Sequence, residues 1–223
     1  IKRRGTVEAK TTTCDYFPVE KEYGYSVFST VFYAEFLNKK LNVIDCPGSD
    51  DFVGNAVTAL NVTDTGVILI DGQYGVEVGT QNIFRTCEQL KKPIIFAINQ
   101  LDGEKADFDN SLLQLKEHYG SKVVPIRFPI NCGPSFNSMI DVLLMKQYTW
   151  GPDGGVPTIT EIPEEYKEKA LEWHQALVEA AAENDEGLMD KFFEQGALSD
   201  DELRLGIRKG LIDRGIFSVF CVS

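Results

Sequence analysis

Several things are scarce in this 223-residue sequence, and each scarcity excludes a class. No run of about 18 apolar residues occurs, which predicts no membrane-spanning helix. No cationic-then-apolar leader opens the chain, which predicts no secretion. The five cysteines (Cys14, Cys46, Cys87, Cys132, Cys221) are far apart, with no CxxC pair, and the two histidines (His118, His174) are isolated. That pattern fits neither a disulfide scaffold nor a metal knuckle, and suits reduced thiols in the cytoplasm. Basic residues are short as well, 22 against 34 acidic, a formal net charge of −12. A protein that clings to nucleic acid by bulk positive charge is therefore not expected. Internal repeats and low-complexity tracts are lacking too.

What is present is an ordinary globular composition, 43% hydrophobic and 25% charged, long enough for one large domain or two small ones. The acid is uneven. Residues 1–150 hold 15 basic and 18 acidic side chains, and residues 151–223 hold 7 and 16. Such a run of acid fits a solvated helical surface, and also a contact for a basic partner. The short basic start Lys2-Arg3-Arg4 is a weak candidate for touching RNA.

The β-branched and aromatic stretch Val27–Phe36 predicts a strand. A turn at Asn38-Lys39-Lys40 and a second strand, Leu41–Ile44, complete a hairpin. Nearly unbroken apolar runs follow at 67–70, 94–98, 123–126 and 217–220, typical of parallel strands covered on both faces. Helix-like segments lie between them at about 51–62, 79–90 and 107–119. Strand alternating with helix predicts an α/β fold with a mostly parallel sheet. After a loop at 150–155, Pro163 suits a helix start, and Tyr166, Ala170, Trp173 and Leu177 make its apolar face. Ser199-Asp200-Asp201-Glu202 has the form of a capping box opening a last helix.

Parallel α/β sheets bind ligands beyond the carboxyl ends of their strands. Polar signatures stand at those ends here: Asp45-Cys46-Pro47-Gly48, Asn99-Gln100-Leu101-Asp102 and Cys221-Val222-Ser223. Asp45 can hold Mg²⁺ through water, and Gly48 lets its backbone N–H approach a terminal phosphate; the same four residues also suit a tight turn. The Asp102 carboxylate can accept two parallel hydrogen bonds from an N–H/NH₂ edge, which guanine presents and adenine does not. An Asn/Asp turn after a strand is the structural alternative.

Together these segments resemble the third, fourth and fifth sequence elements of translational GTPases. Pro129-Ile130, Met139-Ile140-Asp141-Val142, Ile162-Pro163-Glu164-Glu165, Leu177-Val178-Glu179-Ala180 and Asn184-Asp185-Glu186-Gly187-Leu188-Met189 are similar to the insert of the elongation factor G family. The resemblance implies a GTPase-like core at 1–128, an acidic, mainly helical insert at 129–210, and a return to the sheet at 211–223. It implies nucleotide binding by Asp45, Gly48, Asn99, Gln100, Asp102 and Ser223. It also implies Mg²⁺ binding by Ser26 and Asp45, with Glu20–Val27 as the first switch segment. GTP/GDP and Mg²⁺ are the implied cofactors, the ribosome the implied partner, and translocation the implied task.

The sequence departs from that family's pattern at several places. Ser49 stands where the family has a histidine that positions the attacking water, and serine lacks the reach and the acid–base character of imidazole. Gln100 replaces a lysine that packs on guanine, Ser26 a threonine, and Val222 a glycine. Slow or absent hydrolysis is expected, and a non-hydrolysing ribosome-binding module, or a ribosomal-protection or release-type relative, is the alternative. GxxxxGK[ST] does not occur, so the phosphate cradle and the first central strand are expected to precede Ile1. The chain alone is then expected to bind nucleotide weakly or not at all. The strands ending at Asp45 and Asp71 would pair directly, borrow a strand, or loosen.

Overall fold

In the hairpin of β1 (Thr30–Phe36) and β2 (Lys39–Asp45), Leu37 and Asn38 both have positive φ, 48° and 57°. A two-residue turn of that hand matches the right-handed twist of the flanking strands. The turn is therefore Leu37–Asn38 and not Asn38–Lys40, because Lys39 and Lys40 pair with Phe36 and Glu35. Glu35 opposite Lys40 is a cross-strand charge pair, and the Lys40 ammonium lies 4.5 Å from the Tyr33 ring centre. The expected strand start at Val27 is also too early: residues 27–29 bend around a buried side chain, described below.

The computed structural model describes residues 5–152 and 154–223. The basic start, Lys2-Arg3-Arg4, lies outside the described residues. Two compact units divide the chain, one ending at Asp64 and the other running Thr65–Ser223. The first unit holds α1 (Pro18–Tyr23), the β1–β2 hairpin, a 3-10 turn at Asp50–Phe52 and α2 (Val53–Val62).

The second unit is built on a parallel sheet in the order β3 (Gly66–Asp71), β4 (Ile94–Asn99), β10 (Phe217–Cys221), β5 (Val123–Pro125). This is the expected α/β architecture of a parallel sheet flanked by helices. α3 (Val78–Gln89) and α4 (Phe108–Tyr119) fall where the periodicity puts them. Phe96 and Phe217 are buried under Phe84, whose ring stacks on Tyr119 at 4.0 Å, so aromatic packing locks the sheet to both helices.

A four-stranded antiparallel sheet then runs β6 (Arg127–Pro129), β7 (Ser138–Asp141), β8 (Lys146–Thr149), β9 (Thr158–Thr160). These strands precede the helices of the 129–210 stretch and are not announced by its periodicity. α5 (Glu164–Ala182), α6 (Glu186–Gln195) and α7 (Asp200–Ile212) follow. Gly206 lets α7 cross α5 closely, since a Cβ there would lie 2.6 Å from the Ala181 carbonyl oxygen. The capping box at Ser199 forms as read, with Ser199 Oγ and the Glu202 carboxylate exchanging bonds with each other's backbone N–H.

Among the described residues, β3 pairs only with β4, and β2 only with β1. On β3 the outer-facing Val67 and Leu69 are 59% and 60% exposed. Among the described residues, one face of a strand type normally buried on both sides is thus largely exposed.

Candidate functional site

The carboxyl ends of β3, β4 and β10 lie side by side, because Asp71 is in register with Asn99 and Cys221 with Ile98. The Val222 N–H donates to the Ile98 carbonyl at 2.9 Å, carrying the alignment one residue past the strand and towards Ser223. Of the expected base-reading residues, Asn99, Gln100, Asp102 and Ser223 therefore sit at one end of one sheet.

The loop after β4 is shaped by its one apolar member. Leu101 is fully buried, and its carbonyl accepts the Gly133 N–H at 2.7 Å. Gln100 takes φ +57°, and the Gly103 N–H closes the turn on the Gln100 carbonyl at 3.0 Å. With Leu101 pinned inward, Gln100 and Asp102 are exposed and Asn99 is half-buried. The side chains of Asn99, Gln100 and Asp102 make no hydrogen bond among the described residues. Gly72 backs this loop: its N–H donates to the Asn99 carbonyl at 2.9 Å, and a Cβ there would come 2.9 Å from that oxygen. Asp71 does not face the loop, because its Oδ1 accepts the Gln73 N–H at 2.8 Å in an Asx turn. An unpaired carboxylate on a fixed turn, beside an unpaired carboxamide, fits the donor edge of guanine.

The remaining expected residues belong to the first unit. Asp45 ends β2, opposite Thr30. Burial first, then the neighbouring Asp45 carboxylate, pushes the Cys14 thiol up to about 12. Cys14 thus stays protonated near neutral pH. Ser26 Oγ donates to Asp15 Oδ1 at 2.6 Å. Pro47 is buried, whereas Gly48 is exposed with open space where a Cβ would stand. Asp45 and Ser26 supply the oxygen donors that Mg²⁺ takes, and Ser26 already holds Asp15. No cluster of three or more His, Cys, Asp or Glu able to hold a metal occurs among the described residues.

Ser49 has a defined local job. Its Oγ accepts the Asp51 N–H at 3.4 Å and its carbonyl the Phe52 N–H at 3.0 Å, so it caps the turn that leads into α2. Sequence reasoning missed Glu20, the largest polar feature of this unit. Glu20 is 1% exposed; its Oε1 accepts the N–H groups of Val27 and Phe28, and its Oε2 that of Phe17, all at 3.1 Å. The residues expected to form a switch segment are thus a short helix, a left-handed Gly24 (φ +76°), and a loop fastened to that helix by Glu20. Its available signal was Pro18 at a helix start followed by glutamate two residues on.

An open sheet with polar turns at the carboxyl ends of its parallel strands is an α/β domain of the kind that binds ligands at those ends. Comparison with known proteins gives the class. The chain superposes on a crystal structure of a protein from Thermus thermophilus with a TM-score of 0.91 and 29% sequence identity. The match covers 99% of this chain and 33% of that one, so the chain spans about a third of the protein it matches. The family profile described as the elongation factor Tu GTP binding domain matches residues 1–222. The chain belongs to that family, the GTP-binding domains of translational GTPases.

Proposed function

We propose that the chain is the GTP-binding domain of a translation factor of the elongation factor G type, which acts on the ribosome in the cytoplasm. In this reading Asn99 and Asp102 recognise guanine, with Gln100 and Ser223 beside the base. Gly48 offers its N–H to the terminal phosphate. Asp45 and Ser26 are the residues that would hold Mg²⁺, Ser26 leaving Asp15 when it does so; bound there, the cation would supply positive charge to the phosphates. The observation that carries the reading is the exposed, unpartnered Asp102 carboxylate on a turn fixed by buried Leu101. Among the described residues, no helix is long and apolar enough to cross a membrane.

Slow hydrolysis is part of the proposal. Ser49, in the position of the water-orienting histidine, spends its hydroxyl on capping the 3-10 turn. That engagement favours a second reading, a ribosome-binding module gated by nucleotide without turnover. Both are tested on the intact protein by nucleotide competition and by turnover with ribosomes. Preference for GTP over ATP, with ribosome-stimulated hydrolysis far below that of an ordinary elongation factor G, supports the first reading. Binding with no turnover selects the second, an ordinary factor's rate refutes the slow-hydrolysis claim, and no guanine preference refutes both.

A further inference from the structure

Of the buried residues of α4, Phe108, Leu112 and Leu115 are apolar and Ser111, at 1% exposure, is not. A buried hydroxyl costs free energy unless it is hydrogen-bonded, and an apolar residue of similar size carries no such cost. A serine inside a helix commonly bonds the carbonyl one turn back. Ser111 Oγ instead donates to the Gly72 carbonyl at 3.3 Å, across 39 positions of sequence.

Gly72 is a bridge. Its carbonyl accepts the Asp107 N–H at 2.8 Å as well as the Ser111 hydroxyl, and its own N–H donates to the Asn99 carbonyl at 2.9 Å. Asn99 opens the loop that carries Asp102, and Asp107 closes it as the N-cap of α4. Both ends of that loop are thus tied to one buried glycine. The fit is close. A Cβ at position 72 would lie 2.9 Å from the Asn99 carbonyl oxygen, 3.0 Å from Leu101 Cδ2 and 3.4 Å from the Ala106 Cβ. All three atoms belong to the segment around Asp102, so the absent side chain is what lets that segment seat against β3. Gln114 lies one turn beyond Ser111, and its Oε1 accepts the Val76 N–H at 2.9 Å. α4 therefore holds the 72–76 segment at two points, and a larger residue at 72 would displace the Asp102 loop.

We infer that Gly72 and Ser111 are positioning residues for base recognition. Together they set the Asn99–Asp102 turn so that the Asp102 carboxylate meets both the ring N–H and the amino group of one guanine edge. Two parallel hydrogen bonds to one carboxylate demand closer alignment than one does. The inference rests on the guanine reading of Asn99 and Asp102 proposed above, and adds two residues that act on the base through the turn.

The test compares GTP with inosine triphosphate (ITP), whose base keeps the ring N–H and lacks the amino group, in competition for the intact protein. Gly72→Ala should lower the GTP-over-ITP ratio about tenfold, and Ser111→Ala, which leaves Gly72 its Asp107 bond, about threefold. Ser111→Cys, close in size with a weaker donor, should fall between Ser111→Ala and the parent. Gly206→Ala, also crowded but on α7 against α5, controls for lost stability and should keep the parent's ratio. Without nucleotide, amide exchange at Gly72 and Asp107 should quicken in Gly72→Ala and Ser111→Ala. If Gly72→Ala does not fold, Ser111→Ala carries the test. An unchanged ratio in the folded variants, with the parent still preferring GTP, overturns this inference and leaves the guanine reading standing. An equal loss of GTP and ITP affinity also overturns it, since the two residues would then serve stability alone. A parent that binds GTP and ITP alike overturns both the inference and the reading on which it rests.

Discussion

Removing the Glu20 carboxylate should loosen the segment from Phe17 to Phe28. Three backbone N–H groups end on this one buried side chain, at 3.1 Å each. A hydrogen bond to a charged group contributes about 1.5–3 kcal/mol, and an orphaned buried donor costs about 1–3 kcal/mol. In Glu20→Ala some of the freed donors reach water once the loop swings out, so the expected cost is about 3–5 kcal/mol, not the full sum. Glu20→Gln keeps one acceptor oxygen, which can serve Val27 and Phe28, and turns an amide towards the Phe17 N–H. About 2 kcal/mol is expected for that loss of one bond and of the charge. The assay is amide hydrogen exchange by NMR with a urea melt alongside. Protection at Phe17, Val27 and Phe28 should fall in both variants, more in Glu20→Ala, while Ile94–Asn99 keeps its protection. A Glu20→Ala chain with unchanged protection at Val27 and Phe28, and a stability loss under about 0.5 kcal/mol, refutes the reasoning.

Three further outcomes follow from packing and charge. The Tyr119 hydroxyl is buried without a partner among the described residues and its pKa is pushed up to about 12 by burial, so Tyr119→Phe should stabilise the fold by up to about 1 kcal/mol in urea denaturation. Gly206→Ala drives a Cβ into the Ala181 carbonyl, and a loss of about 1–3 kcal/mol with a lowered Tm is expected. The Lys191 ammonium, then Ser199, lowers the Glu202 carboxyl from 4.5 to about 2. A depressed acid stabilises above its unfolded pKa and loses that contribution as pH falls through the folded one. The start of α7 should therefore weaken between about pH 4.5 and 2, and Glu202→Gln should flatten that limb of a CD-monitored titration.

The parts of this fold legible in the sequence are those with long or doubly buried patterns. Ile94–Ile98 and Phe217–Phe220 read as parallel strands because both faces are apolar, and both end up inside the sheet. The strands β6–β9 are three or four residues long, too short for alternation to register, and β9 is exposed throughout. The hairpin is legible, but its turn and its first residue are not, since Lys39 and Lys40 look like turn residues but pair across the strands, and β1 begins only at Thr30. For the site, the sequence located the polar strand ends. Local pattern carries no sign that Leu101 would pin the loop, that Cys14 would sit beside Asp45, or that Ser26 would bond Asp15. Those are long-range contacts or choices among nearby hydroxyls, invisible to local pattern.

Nucleotide selectivity tests the central claim most directly. In guanine the ring N–H and the amino group both face a carboxylate; in xanthine a carbonyl replaces the amino group, and an asparagine can donate to it. The measurement is competition between GTP and XTP for the intact protein and its Asp102→Asn variant. The predicted result is a parent that prefers GTP, with the preference moved by about 100-fold or more towards XTP in the variant. An unchanged preference in Asp102→Asn contradicts it, because the base would then be read by other residues.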